Sequence, residues 1–260
     1  MFTIIVPTHD RPLLLRRTLQ SLIAQTYTDF TVVIVADSSA YLPPYEELAQ
    51  LAGRYVYVIR GSGIGGPAES RNMGLDVARS KYVIFLDDDD TFEPGHLQSL
   101  ADGIGNTSPD ILFCDFKIRN EDRTVSPPQH LSTVDVSIAD VTQDSVYVRN
   151  RIPNSCLVYD KNIVAPIRYD TGLIIYEDWD FLLDCLKGKK LGYLPVNSVV
   201  IHKSSATAPE NMRRGNTHDE KIVEVMLQLY SKHAAPNQET RLARQALLAG
   251  AGVKLPIEHF

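Results

Sequence analysis

Short apolar runs alternate with helix-period stretches through the first hundred residues. TIIVP (3–7) is a short apolar run. LLLRRTLQSLIAQ (13–25) places Leu15, Leu19 and Leu22 at helical spacing, and FTVVIVAD (30–37) is a second buried run. The unit repeats as YEELAQLAG (45–53), YVYVI (55–59), AESRNMGLDVARS (68–80) and KYVIFLD (81–87). Strands that are apolar almost throughout, rather than alternating with polar residues, are buried on both faces. The pattern therefore predicts a parallel β-α-β sheet covered by helices on both sides.

After HLQSLADGIG (96–105) the pattern changes. DILFCDFKIR (110–119) and the stretch 133–148 predict longer, partly polar strands or loops. YEDWDFLLDCLKG (176–188) sets Trp179, Leu182, Leu183 and Leu186 on one helical face, and LGYLPVNSVVIHK (191–203) is a further strand. The polar stretch 204–219 predicts a mobile loop, followed by helices over 220–234 and 239–250.

Composition narrows the class. At 260 residues, with 44% hydrophobic and 22% charged positions, the chain reads as one soluble α/β domain with a C-terminal extension. Three widely separated cysteines, Cys114, Cys156 and Cys185, match neither a disulfide framework nor a thiolate metal site, so a reducing, cytosolic compartment is expected. The apolar N-terminal run is too short for a signal peptide, and no run approaches the roughly 18 residues of a membrane span. A net charge of −6 argues against nucleic acid as a partner. The basic and apolar mix of 240–256 leaves open a peripheral contact with the inner face of a membrane, a partner subunit, or packing on its own domain.

Two motifs compete for the chemistry. Gly61, Gly63 and Gly66 in RGSGIGGPAESRN have the spacing of a dinucleotide-binding turn, which implies an NAD-dependent oxidoreductase. Such a turn belongs after the first strand, whereas here two β-α units precede it. Asp87, Asp88, Asp89 and Asp90 form an unbroken acidic row where that fold uses one carboxylate. Massed carboxylates repel a diphosphate unless a divalent cation lies between them, and strand alternation sets Asp87 and Asp89 on one side. Their oxygens, phosphates and waters would complete an octahedral Mg²⁺ or Mn²⁺ shell. The plainer alternative is a solvated acidic turn.

FTIIVPTHDRPLLLRRTLQSLIAQTYTDFTVVIVAD, AESRNMGLDVARSKYVIFLDDDD and YEDWDFLL together resemble the inverting family-2 glycosyltransferases of GT-A fold. The likeness implies a Rossmann-like, mostly parallel sheet flanked by helices, with a mixed second half. It implies a GT-A domain over 1–215, with a nucleotide-binding half (1–105) and an acceptor-binding half (106–215), and a helical extension over 216–260. The implied activity is Mn²⁺- or Mg²⁺-dependent transfer from a nucleotide-sugar donor of the UDP-sugar type. The acceptor would be a hydroxyl of a glycan or lipid-linked molecule. A binding protein that has lost catalysis is the non-enzymatic alternative.

By the same resemblance, Pro7 and Thr8 hold the nucleotide, Asp37 recognises the base, and Arg71 and Asn72 lie near base, ribose or diphosphate. The family often has two acids at the second strand end, where this chain has Ala36 before Asp37. Asp87 and Asp88 fall to the donor, Asp89 to the cation, and Asp90 to capping or orienting the turn. Asp178 is the implied general base, with Glu177 holding the acceptor or supporting the loop. His202 is either a third metal ligand, a phosphate contact or structural. Trp179 either stacks on the acceptor or fills the core, and Arg213 and Arg214 either close over the diphosphate or remain solvated.

Overall fold

The computed structural model describes every residue except 39, 41, 62–65, 106–108 and 205–218, and the backbone only of 219 and 220. The first half runs β1 (Phe2–Thr8), α1 (Pro12–Ile23), β2 (Phe30–Ala36), α2 (Tyr45–Gln50), β3 (Tyr55–Ile59), α3 (Pro67–Val77) and β4 (Tyr82–Phe85). There follow β5 (Thr91–Phe92), α4 (His96–Ile104), β6 (Ile111–Asp122), β7 (Gln129–Val136) and α5 (Gln143–Val148). The chain continues through β8 (Leu157–Asp160), α6 (Lys161–Val164), α7 (Glu177–Cys185) and β9 (Leu191–Ser204), then α8 (Asp219–Lys232) and α9 (Gln238–Gly250).

One sheet holds these strands in the order β3-β2-β1-β4-β8-β6-β9-β5, with β7 paired to β6. β3, β2, β1 and β4 are parallel. β8 then runs antiparallel to both β4 and β6, while β9 rejoins β6 in parallel, giving the mixed second half. Every residue of the central strand β1 is buried, as its unbroken apolar run requires. Because the first four strands point the same way, Thr8, Asp37, Arg60 and Asp87 follow their carboxyl ends along one edge. That edge is where open α/β sheets place their ligands.

Two glycines set how α3 meets this edge. At Gly74 a Cβ would come within 2.3 Å of Ile5 Cγ2, so the missing side chain lets α3 lie directly on β1. Gly74→Ala is expected to destabilise the protein by about 1–3 kcal/mol through overpacking. The helix-propensity gain of at most about 1 kcal/mol only partly offsets that cost. A lowered urea midpoint would show it, and an unchanged midpoint would contradict the close contact. Gly66, the third glycine of the apparent dinucleotide motif, has φ 126° and ψ 154° just before Pro67, a backbone conformation open essentially to glycine alone. A Cβ there would meet nothing within 4 Å, so Gly66 shapes the turn into α3 and is not a packing contact. Gly63 lies outside the described residues.

The stretch 133–148 departs from the strand-or-loop expectation, because β7 ends at Val136 and α5 begins after Thr142. Thr142 and Ser145 form a reciprocal capping box, so a local cap starts a helix too short to display a period. The C-terminal helices share the main core: Val225, Met226, Leu229, Tyr230 and Leu248 join the cluster that contains β1 and α7. Among the described residues, no helix is long and apolar enough to cross a membrane.

Candidate active site

The acidic row begins two residues past β4 and turns at once, with Asp90 N–H donating to Asp87 O at 3.0 Å. Thr18 Oγ1, buried on α1, lies 2.9 and 2.8 Å from the carbonyls of Asp88 and Asp90 and fixes the turn against the helix. The four carboxylates then diverge. Asp88 turns back to β1 and accepts from Thr8 Oγ1 at 2.7 Å. Asp90 is 1% exposed and accepts from Ser155 Oγ at 2.9 Å and His202 N–H at 3.2 Å, so it ties the turn to the segment just before β8 and to β9. Asp87, a third exposed, accepts from Arg71 at 2.8 Å.

Oxygens of Asp87, Asp89 and Asp90 lie within 4.8 Å of one another. Such an all-carboxylate set is the donor chemistry of Mg²⁺ and Mn²⁺, and these residues fit a hard divalent cation. Arginines already balance much of the charge. Arg11 lies 3.2 Å from Asp88 and 3.6 Å from Asp89, and buried Arg123 lies 3.5 Å from Asp89. Burial pushes the Asp88 carboxyl up to about 6 against the pull of Arg11.

His202 sits apart from that oxygen set. Its Nδ1 is 3.1 Å from Glu121 Oε2 and its Nε2 is 2.9 Å from Thr91 Oγ1, so both ring nitrogens are engaged by protein. Burial lowers its pKa, opposed by the Glu121 contact. Glu121 in turn accepts from Arg17 at 2.8 and 3.0 Å and from Arg123 at 2.6 Å. Despite its burial, those bonds to His202 and the two guanidiniums hold its carboxyl down at about 2. The resulting arrangement makes His202 part of a buried frame behind Asp89 and Asp90.

The α7 acids reach the same place through one arginine. Arg71, 4% exposed on α3, donates to Asp87 and to Glu177 at 2.8 Å each, and its guanidinium lies over the Tyr169 ring at 5.3 Å. Asn72 spends both ends of its amide on the Tyr169 backbone, donating at 2.9 Å and accepting at 2.8 Å, which holds the platform beneath Arg71. Tyr176, at φ 60°, turns the chain into α7. Asp178 is set in the first turn and accepts from Trp179 N–H at 2.8 Å. Burial first, and Glu177 second, raise its carboxyl to about 6, with Arg71 opposing them.

Thus Thr8, Arg71, Asp87, Asp88, Asp89, Glu177 and Asp178 are brought together. Pro7 is buried in β1, beside Val35 of β2. Asp37 lies along the edge, 2.5 Å from Arg60. Asn72 is committed to Tyr169, and Glu177 to Arg71. Of the two roles open to Trp179, the structure has core filling: it is 1% exposed and its indole N–H donates to Val146 O at 2.8 Å, so it offers no face to an acceptor. Arg213 and Arg214 lie outside the described residues. Arg11, Arg17, Arg60, Glu121, Arg123 and Tyr169 escaped sequence reasoning. Only Arg11 had a local signal, lying in the THDRP segment at the end of β1.

Residues 3–185 match the family described as Glycosyl transferase family 2. The chain is 30% identical over 207 residues to the succinoglycan biosynthesis protein ExoW of Rhizobium meliloti (strain 1021), covering 72% of this chain and 64% of that protein. It is 26% identical over 257 residues to the poly(ribitol-phosphate) beta-N-acetylglucosaminyltransferase TarP of Staphylococcus aureus (strain N315), covering 92% of this chain and 75% of that one. The crystal structure of S. aureus TarS 1–349 in complex with UDP-GlcNAc superposes with a TM-score of 0.70 at 19% identity, over 95% of this chain and 71% of that chain. A longer TarS structure superposes with a TM-score of 0.69, and the chain spans 42% of it. The chain thus spans less than two thirds of the length of ExoW and of the longer TarS chain. The fold is GT-A, and the family match sets the dinucleotide reading aside. This chain belongs to glycosyl transferase family 2.

Proposed function

We propose that this protein transfers a sugar from a nucleoside diphosphate donor, of the UDP-sugar type, to a hydroxyl of a glycan or lipid-linked acceptor, with inversion at the anomeric carbon. The observation that carries this reading is the double grip of Arg71, which holds Asp87 of the acidic row and Glu177 of α7 at 2.8 Å each. It brings the donor-side acids and the candidate base to one place.

In this mechanism Thr8 and the row from Asp87 to Asp89 hold the nucleotide end of the donor at the carboxyl edge of the sheet. Asp87, Asp89 and Asp90 are the residues that would hold a divalent cation, whose positive charge would stabilise the departing diphosphate. Arg71 offers a planar fork beside that charge and fixes α7 relative to it. Asp178 takes the proton of the acceptor hydroxyl as its oxygen bonds to the anomeric carbon, and the nucleoside diphosphate leaves from the opposite face. A carboxyl raised to about 6 suits this work, since it is ionised at neutral pH yet more basic than an ordinary aspartate.

A thermal-shift series tests the donor class. UDP with Mn²⁺ is expected to raise the melting temperature, more than UDP alone, and NAD to leave it unchanged. Stabilisation by NAD without metal would overturn the proposal.

A further inference from the structure

β3 closes one end of the sheet, with β2 on one side and, among the described residues, no strand on the other. Val32 N–H donates to Arg54 O at 2.8 Å and Arg60 N–H to Ala36 O at 2.7 Å, so both ends of the strand turn these backbone groups toward β2. Because the peptide direction alternates along a strand, Val56 and Val58 do the same, while Tyr55, Tyr57 and Ile59 turn theirs outward. Edge strands that stay single are kept short, or carry charge or proline. The other strands with a single neighbour obey this: β5 is only Thr91–Phe92, and β7 bears His130, Ser132, Thr133 and Asp135. β3 has no such protection. Its YVYVI sequence holds no charge, proline or glycine, and Val56 is 38% and Ile59 53% exposed. Leu42, 81% exposed, lines one cavity with Tyr57 and Leu15, which extends the apolar surface onto the α1 side.

We propose that two copies of this chain form a dimer by pairing β3 with β3, antiparallel, about a two-fold axis through Tyr57. A two-fold interface must match itself. With Tyr57 on the axis, it faces Tyr57 of the second copy, Tyr55 faces Ile59, and Val56 faces Val58, so every cross-strand pair is apolar or aromatic. The outward residues Tyr55, Tyr57 and Ile59 then fall opposite one another, and each such pair exchanges both its N–H···O bonds, which uses every outward backbone group of the strand. Sliding by one residue sets outward groups against inward ones, and sliding by two leaves Tyr55 or Ile59 beyond the end of the partner strand. The two ends also match in charge. Arg54 lies over the Phe30 ring at 5.0 Å and makes no ion pair among the described residues. In the dimer it lies opposite Arg60, where Asp37 and the one-third-exposed Glu69 set two carboxylates against one guanidinium. The arginine of the second copy balances that excess. This match of side chains and of charge to the strand's own sequence selects a second copy over an unrelated strand as the occupant.

Sedimentation velocity on the wild-type protein is expected to show a dimer that dissociates on dilution. Ile59→Lys puts a cation into the apolar pairing once per copy and is expected to weaken association by about 100-fold, from a loss of about tenfold at each of the symmetric sites. Leu242→Lys, the same change at a similarly exposed leucine of α9, is expected to leave association unchanged. If the urea midpoint shows that Ile59→Lys does not fold, oxidation by copper phenanthroline reads the register instead. Tyr57→Cys meets itself on the axis and is expected to give a covalent dimer, whereas Tyr55→Cys, opposite Ile59, is not. The wild type is expected to give none, since Cys114, Cys156 and Cys185 are buried. A wild-type monomer at every concentration, an Ile59→Lys dimer as tight as the wild type, or cross-linking of Tyr55→Cys without that of Tyr57→Cys would each overturn the proposal. No donor enters these measurements, so the dimer and the transferase reading fail separately.

Discussion

Asp178→Asn is expected to lower kcat by about 10²–10⁴-fold, the usual contribution of a positioned general base. Donor binding should change little, because the nucleotide side of the site is built from Thr8 and the acidic row. The substitution is nearly isosteric, and an asparagine Oδ1 can still accept the Trp179 N–H bond now made at 2.8 Å, so the start of α7 should survive. The wild-type pH profile carries a matching signature. With the Asp178 carboxyl at about 6, kcat/KM should hold at neutral pH and fall as pH drops below 6, because the base is then protonated. Asp88 is also raised to about 6 and titrates in the same range. The limb therefore belongs to Asp178 only if it vanishes from the residual activity of Asp178→Asn. Full activity in that variant would remove Asp178 from the chemistry.

The second large effect is on stability. Asp180, fully buried on α7 two residues past the candidate base, accepts from His233 Nε2 and Lys232 Nζ of the α8 end at 2.7 Å each. Arg244 of α9 donates to His233 O at 2.9 Å and to Tyr147 O at 2.8 Å, so α5, α7, α8 and α9 meet at one polar junction. Removing one member of a buried charged network leaves its partners uncompensated. Asp180→Ala should therefore cost about 3–5 kcal/mol. Lys232 is 40% exposed, and Lys232→Ala should cost no more than about 1 kcal/mol. Urea unfolding of the two variants checks both figures, and a loss below 1 kcal/mol for Asp180→Ala would contradict the junction's role. Although burial works to raise the Asp180 carboxyl, its bonds to His233 and Lys232 bring it below the ordinary value. Its contribution is complete above an unfolded pKa of about 3.9 and is lost as pH falls through the lowered native value. The Asp180→Ala variant should accordingly lose less stability than the wild type on acidification below about pH 4.

The first half of the fold was legible because β1, β2 and β4 are buried almost throughout, and the chain must write that burial as uninterrupted apolar residues. β3 is as apolar in sequence, yet it lies at the sheet edge with Tyr55, Val56 and Ile59 exposed, against the expectation of burial on both faces. β8, of four residues, and α6, also of four, are too short to show a period, and their positions follow from the sheet that receives them. The acidic row and the α7 acids were legible for a different reason: each is contiguous in the chain. Glu121 and Arg123 were not. They lie in the polar stretch NEDRT (120–124), which carries no motif, and the β6–β7 hairpin brings Arg123 to Asp89, 34 residues away. The glycine spacing could not decide by itself, because a motif of spacings does not encode which strand precedes it. Gly66 is needed for its backbone angle, while the close helix–strand contact falls to Gly74. Trp179 had two roles open to it because a helical face has the same spacing whether it meets the core or a ligand.

Direct displacement at one site, built from the acids that follow β4 and from α7, inverts the anomeric centre. Its most direct test is the anomeric configuration of the product, read from the H1 coupling in the proton NMR spectrum after transfer from an α-linked UDP-sugar. A β-linked product is the predicted result, and an α-linked product would contradict the displacement by an Asp178-activated hydroxyl.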